Sequence, residues 1–174
     1  MRHTLILGCG YIGSALAASW KQREFELTLT TTSPSRVAEL GPLADRVLLL
    51  DATQKASTVQ ALANVDTLIV TLAPSKPGSS YRAIYLDTAR AIAQAVHAGA
   101  PIKQIVYTGS ASVYNDNDGA WVTEDHPLAP KEERQAVLIE AERCLLELAK
   151  GSRHVCVLRL GEIYGPERDP AQRL

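Results

Sequence analysis

Short apolar runs alternate along the chain with longer segments in which apolar residues recur every three or four positions. The short runs predict β-strands over residues 4–7, 25–31, 46–50, 67–72, 105–108 and 155–160. The longer segments predict helices over residues 12–21, 34–40, 58–63, 81–97 and 131–150. The run over 67–72 is apolar without alternation, which is typical of a strand covered on both faces. The pattern therefore predicts an α/β fold, with a doubly wound parallel sheet between two layers of helices.

A glycine-rich turn joins the first predicted strand to the first predicted helix, and its sequence is Gly8-Cys9-Gly10-Tyr11-Ile12-Gly13. In a Rossmann fold the first glycine allows a sharp turn, the second lets a pyrophosphate approach the backbone, and the third lets the helix pack closely. The N-terminus of the helix then offers N–H groups to the phosphates. The turn predicts a dinucleotide site of the Rossmann type. An ordinary tight turn in another α/β protein is the alternative.

The end of the second predicted strand bears on which dinucleotide is bound. An NAD site usually has a carboxylate there, which binds the ribose 2′-hydroxyl. This chain has hydroxyl residues that include Thr32 and Ser33, followed by Arg36. Because a guanidinium group binds phosphate in a forked geometry, we expect NADP to be preferred over NAD. A solvent-facing Arg36 on a helix is the alternative.

Further cofactor contacts are expected where the other strands end. Asp51, which follows the third strand, is suited either to accept a hydrogen bond from the adenine amino group or to cap the next turn. Leu72 and Ala73 follow the fourth strand and should lie against the cofactor. The predicted cofactor-binding residues are Gly8, Gly10, Tyr11, Ile12, Gly13, Thr32, Ser33, Arg36, Asp51, Ala52, Leu72, Ala73 and Thr108.

Composition and charge narrow the function further. The chain has 174 residues, is 46% hydrophobic and has a net charge of −1, so it has no large basic field for nucleic acid or anionic membranes. No apolar run approaches a membrane span or a secretory signal, and we expect a cytoplasmic protein. Cys9, Cys144 and Cys156 fit neither a disulfide framework nor a metal site. We expect Cys144 and Cys156 to be small buried hydrophobic residues.

Two later segments make the chain resemble a known family. They are residues 107–114, YTGSASVY, and residues 159–166, RLGEIYGP. Together with the glycine turn, they resemble the extended short-chain dehydrogenases/reductases, and more narrowly the NAD-dependent epimerase/dehydratases, also called nucleoside-diphosphate-sugar epimerases. The resemblance implies an NAD(P)-binding oxidoreductase or epimerase with a nucleotide-sugar-like substrate. It also implies that Ser110, three residues before Val113, hydrogen-bonds the reacting oxygen of the substrate.

The chain departs from this family at its acid/base pair. The family uses the tyrosine of a Tyr-x-x-x-Lys motif, and no such motif occurs here. Aligning residues 140–142 with the family's acidic segment puts Arg134 at the tyrosine position and Leu138 at the lysine position. Arg134 and Tyr114 are the remaining catalytic candidates, although an arginine is a poor general base and Tyr114 is better suited to packing under the substrate loop. A non-catalytic NADP(H)-binding sensor or scaffold is therefore the alternative to an enzyme.

The length of the chain is the second departure. Extended members of the family continue well beyond the Tyr-Gly-Pro segment, and that part supplies most of the substrate pocket. We expect residues 1–174 to form a single NAD(P)-binding domain from which the substrate-binding part is largely absent. Apolar surface that this part normally covers would favour a homo-oligomer.

Overall fold

Six β-strands are present in the computed structural model, which describes residues 1–20, 22–74, 78–115 and 118–169. The predicted helix end at Lys21 lies outside the described residues. The strands are β1 (His3–Leu7), β2 (Glu26–Thr31), β3 (Arg46–Leu49), β4 (Thr67–Val70), β5 (Gln104–Ser110) and β6 (His154–Leu160). They form one sheet in the order β3-β2-β1-β4-β5-β6. All neighbouring strands are parallel.

Each connection between consecutive strands contains a helix, as parallel pairing requires. The helices are α1 (Tyr11–Ser19), α2 (Ser35–Leu40), α3 (Lys55–Ala61), α4 (Thr88–His97) and α5 (Glu133–Leu146). A π-helical segment, Arg82–Asp87, runs directly into α4. Two short 3₁₀ turns complete the set, Gly41–Leu43 and Ala111–Val113.

The alternation of buried residues along β1 shows why the fold has three layers. Leu5 and Leu7 point into the larger apolar core, which α3, α4 and α5 cover. Ile6, between them, points into a second core under α1 and α2, beside Leu29 and Leu40. Since both faces of the central strand are buried, every residue from Leu5 to Leu7 is fully inaccessible to solvent. The predicted doubly wound parallel sheet in three layers is confirmed.

The strand order sets the position of the functional site. From β1 the chain proceeds outwards to β2 and β3, then returns to β4 on the other side of β1 and continues to β5 and β6. The connections after β1 and β4 therefore diverge. In such sheets a crevice opens at the carboxyl ends of the two strands where the order reverses.

The structure also corrects details of the sequence prediction. Helix α3 begins at Lys55, three residues before the predicted start. The helix predicted over 81–97 starts as a π-helix. Cys156 was expected to be buried, but it is exposed, because it lies on the face of β6 opposite α5. Cys144 is only half-buried.

Candidate functional site

The glycine-rich turn is fixed between three strands. Gly8 has a φ of +90°, and a Cβ there would lie 2.6 Å from the side chain of Leu72, so only glycine fits. The Gly8 N–H donates to Thr30 Oγ1 at 2.8 Å, and the Cys9 N–H donates to the Thr30 carbonyl at 2.8 Å. Thr71 Oγ1 donates to the Gly8 carbonyl at 2.6 Å. The turn is therefore held by β2 on one side and by the end of β4 on the other.

Gly13 and Gly10 differ in how closely other atoms approach them. A Cβ on Gly13 would lie 2.8 Å from Thr71 Oγ1 and 3.1 Å from Ile6 Cγ2, so α1 packs directly against the sheet. A Cβ on Gly10 would meet no described atom within 4 Å. The first turn of α1 contains no acidic residue and no side chain caps it. The turn thus presents an open, uncapped helix N-terminus, where anions bind favourably.

A cleft of about 1110 Å³ opens from this turn along the carboxyl ends of the strands. It exceeds the upper end of the range, roughly 300–1,000 Å³, that is usual for small-molecule sites. Gly13 is not among the described residues that line the cleft, because it lies in α1 on the side that faces the sheet. The other twelve predicted cofactor residues line the cleft: Gly8, Gly10, Tyr11, Ile12, Thr32, Ser33, Arg36, Asp51, Ala52, Leu72, Ala73 and Thr108.

Arg36 reaches from α2 across to the glycine-rich turn. Its Nη1 donates to the Cys9 carbonyl at 2.6 Å, and its Nη2 donates to Ser14 Oγ at 3.0 Å. Its Nε and Nη2 also bind the two carboxylate oxygens of Glu39, at 3.1 and 2.9 Å. The hydrogen bond with Glu39 raises the pKa of Arg36 above its ordinary value. Arg36 therefore lines the cleft, but part of its charge is already balanced by Glu39.

Asp51 lies at the rim of the cleft and caps the following turn. Its Oδ1 accepts hydrogen bonds from the N–H and the hydroxyl of Thr53, at 2.9 and 2.7 Å. The carbonyl of Ala52 accepts from the hydroxyls of Thr58 and Thr88, at 3.2 and 3.1 Å. The turn-capping role expected for Asp51 is thus present in the structure. Its contact with an adenine remains a prediction.

The three catalytic candidates are not brought together. Ser110 lines the cleft, and its Oγ lies 2.8 Å from Ser112 Oγ. Tyr114 is not among the described residues that line the cleft, and its hydroxyl accepts a hydrogen bond from Arg159 at 2.6 Å. Arg134 is also outside the cleft lining, and its guanidinium carbon lies 4.2 Å from the ring centre of Tyr81. Only Ser110 is placed where it can reach a ligand in the cleft.

The wall beside Ser110 contains Leu138, the residue aligned from the sequence with the lysine of the family motif. Leu138 lines the cleft and is 3% exposed. Across from α5, the π-helical segment contributes Tyr85, whose ring packs 5.1 Å from the ring of Tyr81. Burial raises the pKa of Tyr85 to about 12, helped by Tyr81 and opposed by Arg134. Tyr85 therefore keeps its proton at neutral pH, so its hydroxyl is able to donate a hydrogen bond. The sequence pattern indicated Tyr85 only as part of a helix and not as a residue of the cleft.

A buried ion pair supports the segment that carries Ser110. Glu142, on α5, is 1% exposed, and its Oε2 accepts from Nε and Nη2 of Arg159 at 3.0 and 2.9 Å. Arg159 Nη1 donates to the Tyr114 hydroxyl and, at 3.2 Å, to the Glu124 carbonyl. Burial acts to lower the pKa of Arg159, but its hydrogen bonds with Glu142 and Tyr114 outweigh burial and raise it. The sequence contains both charges, but it gave no sign that they pair.

Among the described residues, no group of three or more His, Cys, Asp or Glu side chains is arranged to hold a metal ion. None of the helices in the described part of the chain is long and apolar enough to span a membrane.

Comparison with known proteins identifies the family. The sequence matches the NAD dependent epimerase/dehydratase family over residues 4–174. The chain belongs to this family. No curated protein sequence matches it significantly. The family resemblance carried by the glycine-rich turn and the two later segments is thereby confirmed.

Several solved structures are similar to this chain and share its fold. A conserved protein of unknown function from Silicibacter pomeroyi DSS is 25% identical, with a TM-score of 0.75, over 100% of this chain and 57% of that one. UDP-glucuronic acid 4-epimerase from Bacillus cereus, solved in complex with NAD, is 18% identical, with a TM-score of 0.76, over 97% of this chain and 60% of that one. WbmG from Bordetella bronchiseptica, also solved with NAD, is 21% identical, with a TM-score of 0.77, over 94% of this chain and 54% of that one. The chain therefore spans little more than half the length of these structures.

Proposed function

We propose that this chain is the NAD(P)-binding part of an epimerase/dehydratase that acts on a nucleotide-sugar-like substrate. The observation that carries the proposal is the open space above Gly10, at an uncapped helix N-terminus and at the point where the strand order reverses. Membership of the family supports the reaction class. The NAD bound in the Bacillus cereus and Bordetella bronchiseptica structures supports the cofactor.

The residues of the cleft fit a dinucleotide along its length. Gly10 and Tyr11 would border the pyrophosphate, and Thr32, Ser33 and Arg36 would surround the adenosine ribose. Leu72 and Thr108 continue the cleft towards Ser110, at the nicotinamide end. When bound, NAD(P) supplies a hydride acceptor or donor. The protein supplies the orientation, and Ser110 donates a hydrogen bond to the reacting oxygen of the substrate.

We further propose that NADP is preferred over NAD. No carboxylate ends β2, and the guanidinium group of Arg36 lies at the cleft with three hydroxyl residues, Thr31, Thr32 and Ser33, beside it. A 2′-phosphate has to compete with Glu39 for this guanidinium group, because Glu39 already binds it through two hydrogen bonds. The strength of the preference is therefore set by the Arg36–Glu39 pair.

A calorimetric titration with NADH and with NADPH tests both proposals. Gly10→Val should abolish binding of either cofactor without disturbing the fold, since the added side chain enters open space. The matched control is Gly41→Ala, at another open glycine but outside the cleft, and it should bind normally. If the wild-type chain binds neither cofactor, or if Gly10→Val binds as well as wild type, the dinucleotide site is wrong.

The NADP preference has its own variants. Arg36→Ala should bind NADPH and NADH equally. Glu39→Gln should strengthen NADPH selectivity, because it frees the guanidinium group for a 2′-phosphate. An unchanged NADPH-to-NADH ratio in both variants would contradict the role of Arg36 and leave the dinucleotide site intact.

A non-catalytic sensor or scaffold is the second candidate function. It is favoured by Leu138, which puts a buried apolar side chain where the family has its lysine, and by Arg134, which packs on Tyr81 outside the cleft. The two candidates differ in one measurement. The enzyme should transfer hydride with a nucleotide sugar and lose this activity in Ser110→Ala, whereas the sensor should bind the cofactor without turnover.

A further inference from the structure

A turn after β6 folds back onto the glycine-rich turn. The Tyr11 hydroxyl donates to the Pro166 carbonyl at 2.9 Å. Gly165 and Arg168 form an antiparallel bridge, with N–H to carbonyl distances of 3.2 and 2.9 Å. A Cβ on Gly165 would collide with the Tyr11 hydroxyl, so the backbone approaches Tyr11 closely. We name residues 163–168 the return turn.

The return turn brings a cation to the glycine-rich turn. The guanidinium carbon of Arg168 lies 4.2 Å from the ring centre of Tyr11, which is within cation–π distance. Tyr11 is the first residue of α1. Arg168 is therefore held beside the N-terminus of this helix, although it lies more than 150 residues further along the chain, and it lines the same cleft.

The charge on Arg168 is available to a ligand. Among the described residues, the basic side chains that line the cleft are Arg36 and Arg168. Arg36 pairs with Glu39, whereas Arg168 forms no ion pair within the described part of the chain. Arg168 is half-buried, and its guanidinium group lies over the face of the Tyr11 ring. No carboxylate among the described residues pairs with it. A planar guanidinium group with free donors matches two phosphate oxygens.

We infer that Arg168 binds the diphosphate of a ligand in the cleft, and that the return turn holds it there through Tyr11. The inference rests on the proposed function, because the cleft must take a ligand that carries a diphosphate. Two ligands of the reaction share that chemistry, the dinucleotide cofactor and a nucleotide sugar. The position of Arg168 beside the glycine-rich turn favours the pyrophosphate of the cofactor.

The test compares the binding of NADH and UDP-glucose to wild-type protein and to Arg168→Gln by calorimetry. Loss of one charge-assisted contact should weaken binding about 10- to 100-fold. A loss confined to NADH assigns Arg168 to the cofactor, and a loss confined to UDP-glucose assigns it to the substrate. Arg168→Lys should recover part of the affinity, since it keeps the charge but not the forked donors.

Arg82→Gln is the matched control. This variant makes the same change of charge as Arg168→Gln. Because Arg82 is exposed and lies outside the described cleft lining, Arg82→Gln should bind NADH and UDP-glucose as wild type does. The affinity of wild type should also fall more steeply with added salt than that of Arg168→Gln, which a purely structural role would not produce.

The outcomes separate this inference from the proposed function. If wild-type protein binds and folded Arg168→Gln binds both ligands equally well, the role of Arg168 is overturned and the proposed function stands. If Arg82→Gln loses as much affinity as Arg168→Gln, the effect is one of net charge and the inference is also overturned. If wild type binds neither ligand, both the inference and the proposed function are wrong.

Discussion

Arg159 places two donors on a single oxygen of Glu142, and so it ties the last strand of the sheet to α5. The Nε and Nη2 atoms lie 3.0 and 2.9 Å from Glu142 Oε2. Glu142 Oε1 is buried and has no hydrogen-bond partner among the described residues. The carboxylate therefore depends on Arg159 for its compensation, and removing the arginine leaves a charge in the core without its partner.

Arg159→Leu should accordingly be strongly destabilising. We expect the free energy of unfolding to fall by about 3 kcal/mol, the lower end of the range for breaking one half of a buried ion pair. Urea denaturation measures it. Arg143→Leu, the same change at an exposed position on α5, should stay within about 0.5 kcal/mol of wild type. The double variant Glu142→Leu/Arg159→Leu should recover most of the loss, and equal stability of the single and double variants would contradict the pairing.

Gly13→Ala should weaken the contact between α1 and the sheet. The new methyl group would lie 2.8 Å from Thr71 Oγ1 and 3.1 Å from the Gly8 carbonyl, so α1 must move outwards. Overpacking of this kind costs roughly 1–3 kcal/mol. Gly41→Ala meets no described atom within 4 Å and should leave stability unchanged or raise it by up to about 1 kcal/mol. The midpoint temperatures of thermal unfolding of the two variants should shift in opposite directions or differ by several degrees. An equal shift in both variants would argue against the close approach of Gly13 to the sheet.

Asp45 should contribute to acid sensitivity. The Leu27 N–H, at 2.8 Å, and then Arg23, at 2.9 Å, hold the pKa of this carboxyl below its ordinary value. A lowered folded-state pKa gives stability that is present above the unfolded value, about 3.9, and lost as the pH falls through the folded value. Wild type should therefore exceed Asp45→Asn in stability at pH 5 and pH 7, and the difference should shrink as the pH falls from about 4 through the lowered folded-state pKa of Asp45. Urea denaturation at pH 3, 5 and 7 measures this, and a difference independent of pH would refute it.

The cysteines should differ in reactivity. Burial is the main factor that raises the pKa of Cys9, and it does the same for Cys144, which disfavours the reactive thiolate. Cys156 is exposed. We expect a thiol-exchange reagent at neutral pH to modify one cysteine rapidly in the native protein and all three after denaturation. Cys156→Ser should remove the rapid phase and Cys9→Ser should retain it, whereas the reverse pattern would contradict the structure.

The sequence was sufficient for those parts of the fold that depend on local patterns. The apolar runs gave all six strands, and the spacing of Gly8, Gly10 and Gly13 gave the turn, because each of these signals is contained within a few neighbouring residues. The prediction that Cys156 is buried was wrong for a physical reason. Residues 155–158 are all apolar, which is typical of a strand covered on both faces. In the structure α5 covers only the face of β6 that carries Val155 and Val157, and Cys156 lies on the other face.

The candidate site was predicted less completely than the fold. Residues at strand ends were found, since the topology alone brings them to the cleft. The pairing of Glu142 with Arg159 and the return of Arg168 to Tyr11 were not found, because they join positions that are distant in the sequence. A lone arginine or tyrosine in a sequence gives no sign of its partner, and only the folded chain shows which charges meet.

The two borders of the sheet are unequal in a way that matters for handling the protein. Strand β3 has four residues, whereas β6 has seven, all paired with β5 on one side. Within the described residues, the other side of β6 has no neighbouring strand. Backbone groups along such a border can accept an added strand from another molecule. Another molecule can therefore add a strand to this sheet more readily beside β6 than beside β3. Such addition carries a risk of ordered aggregation at high protein concentration.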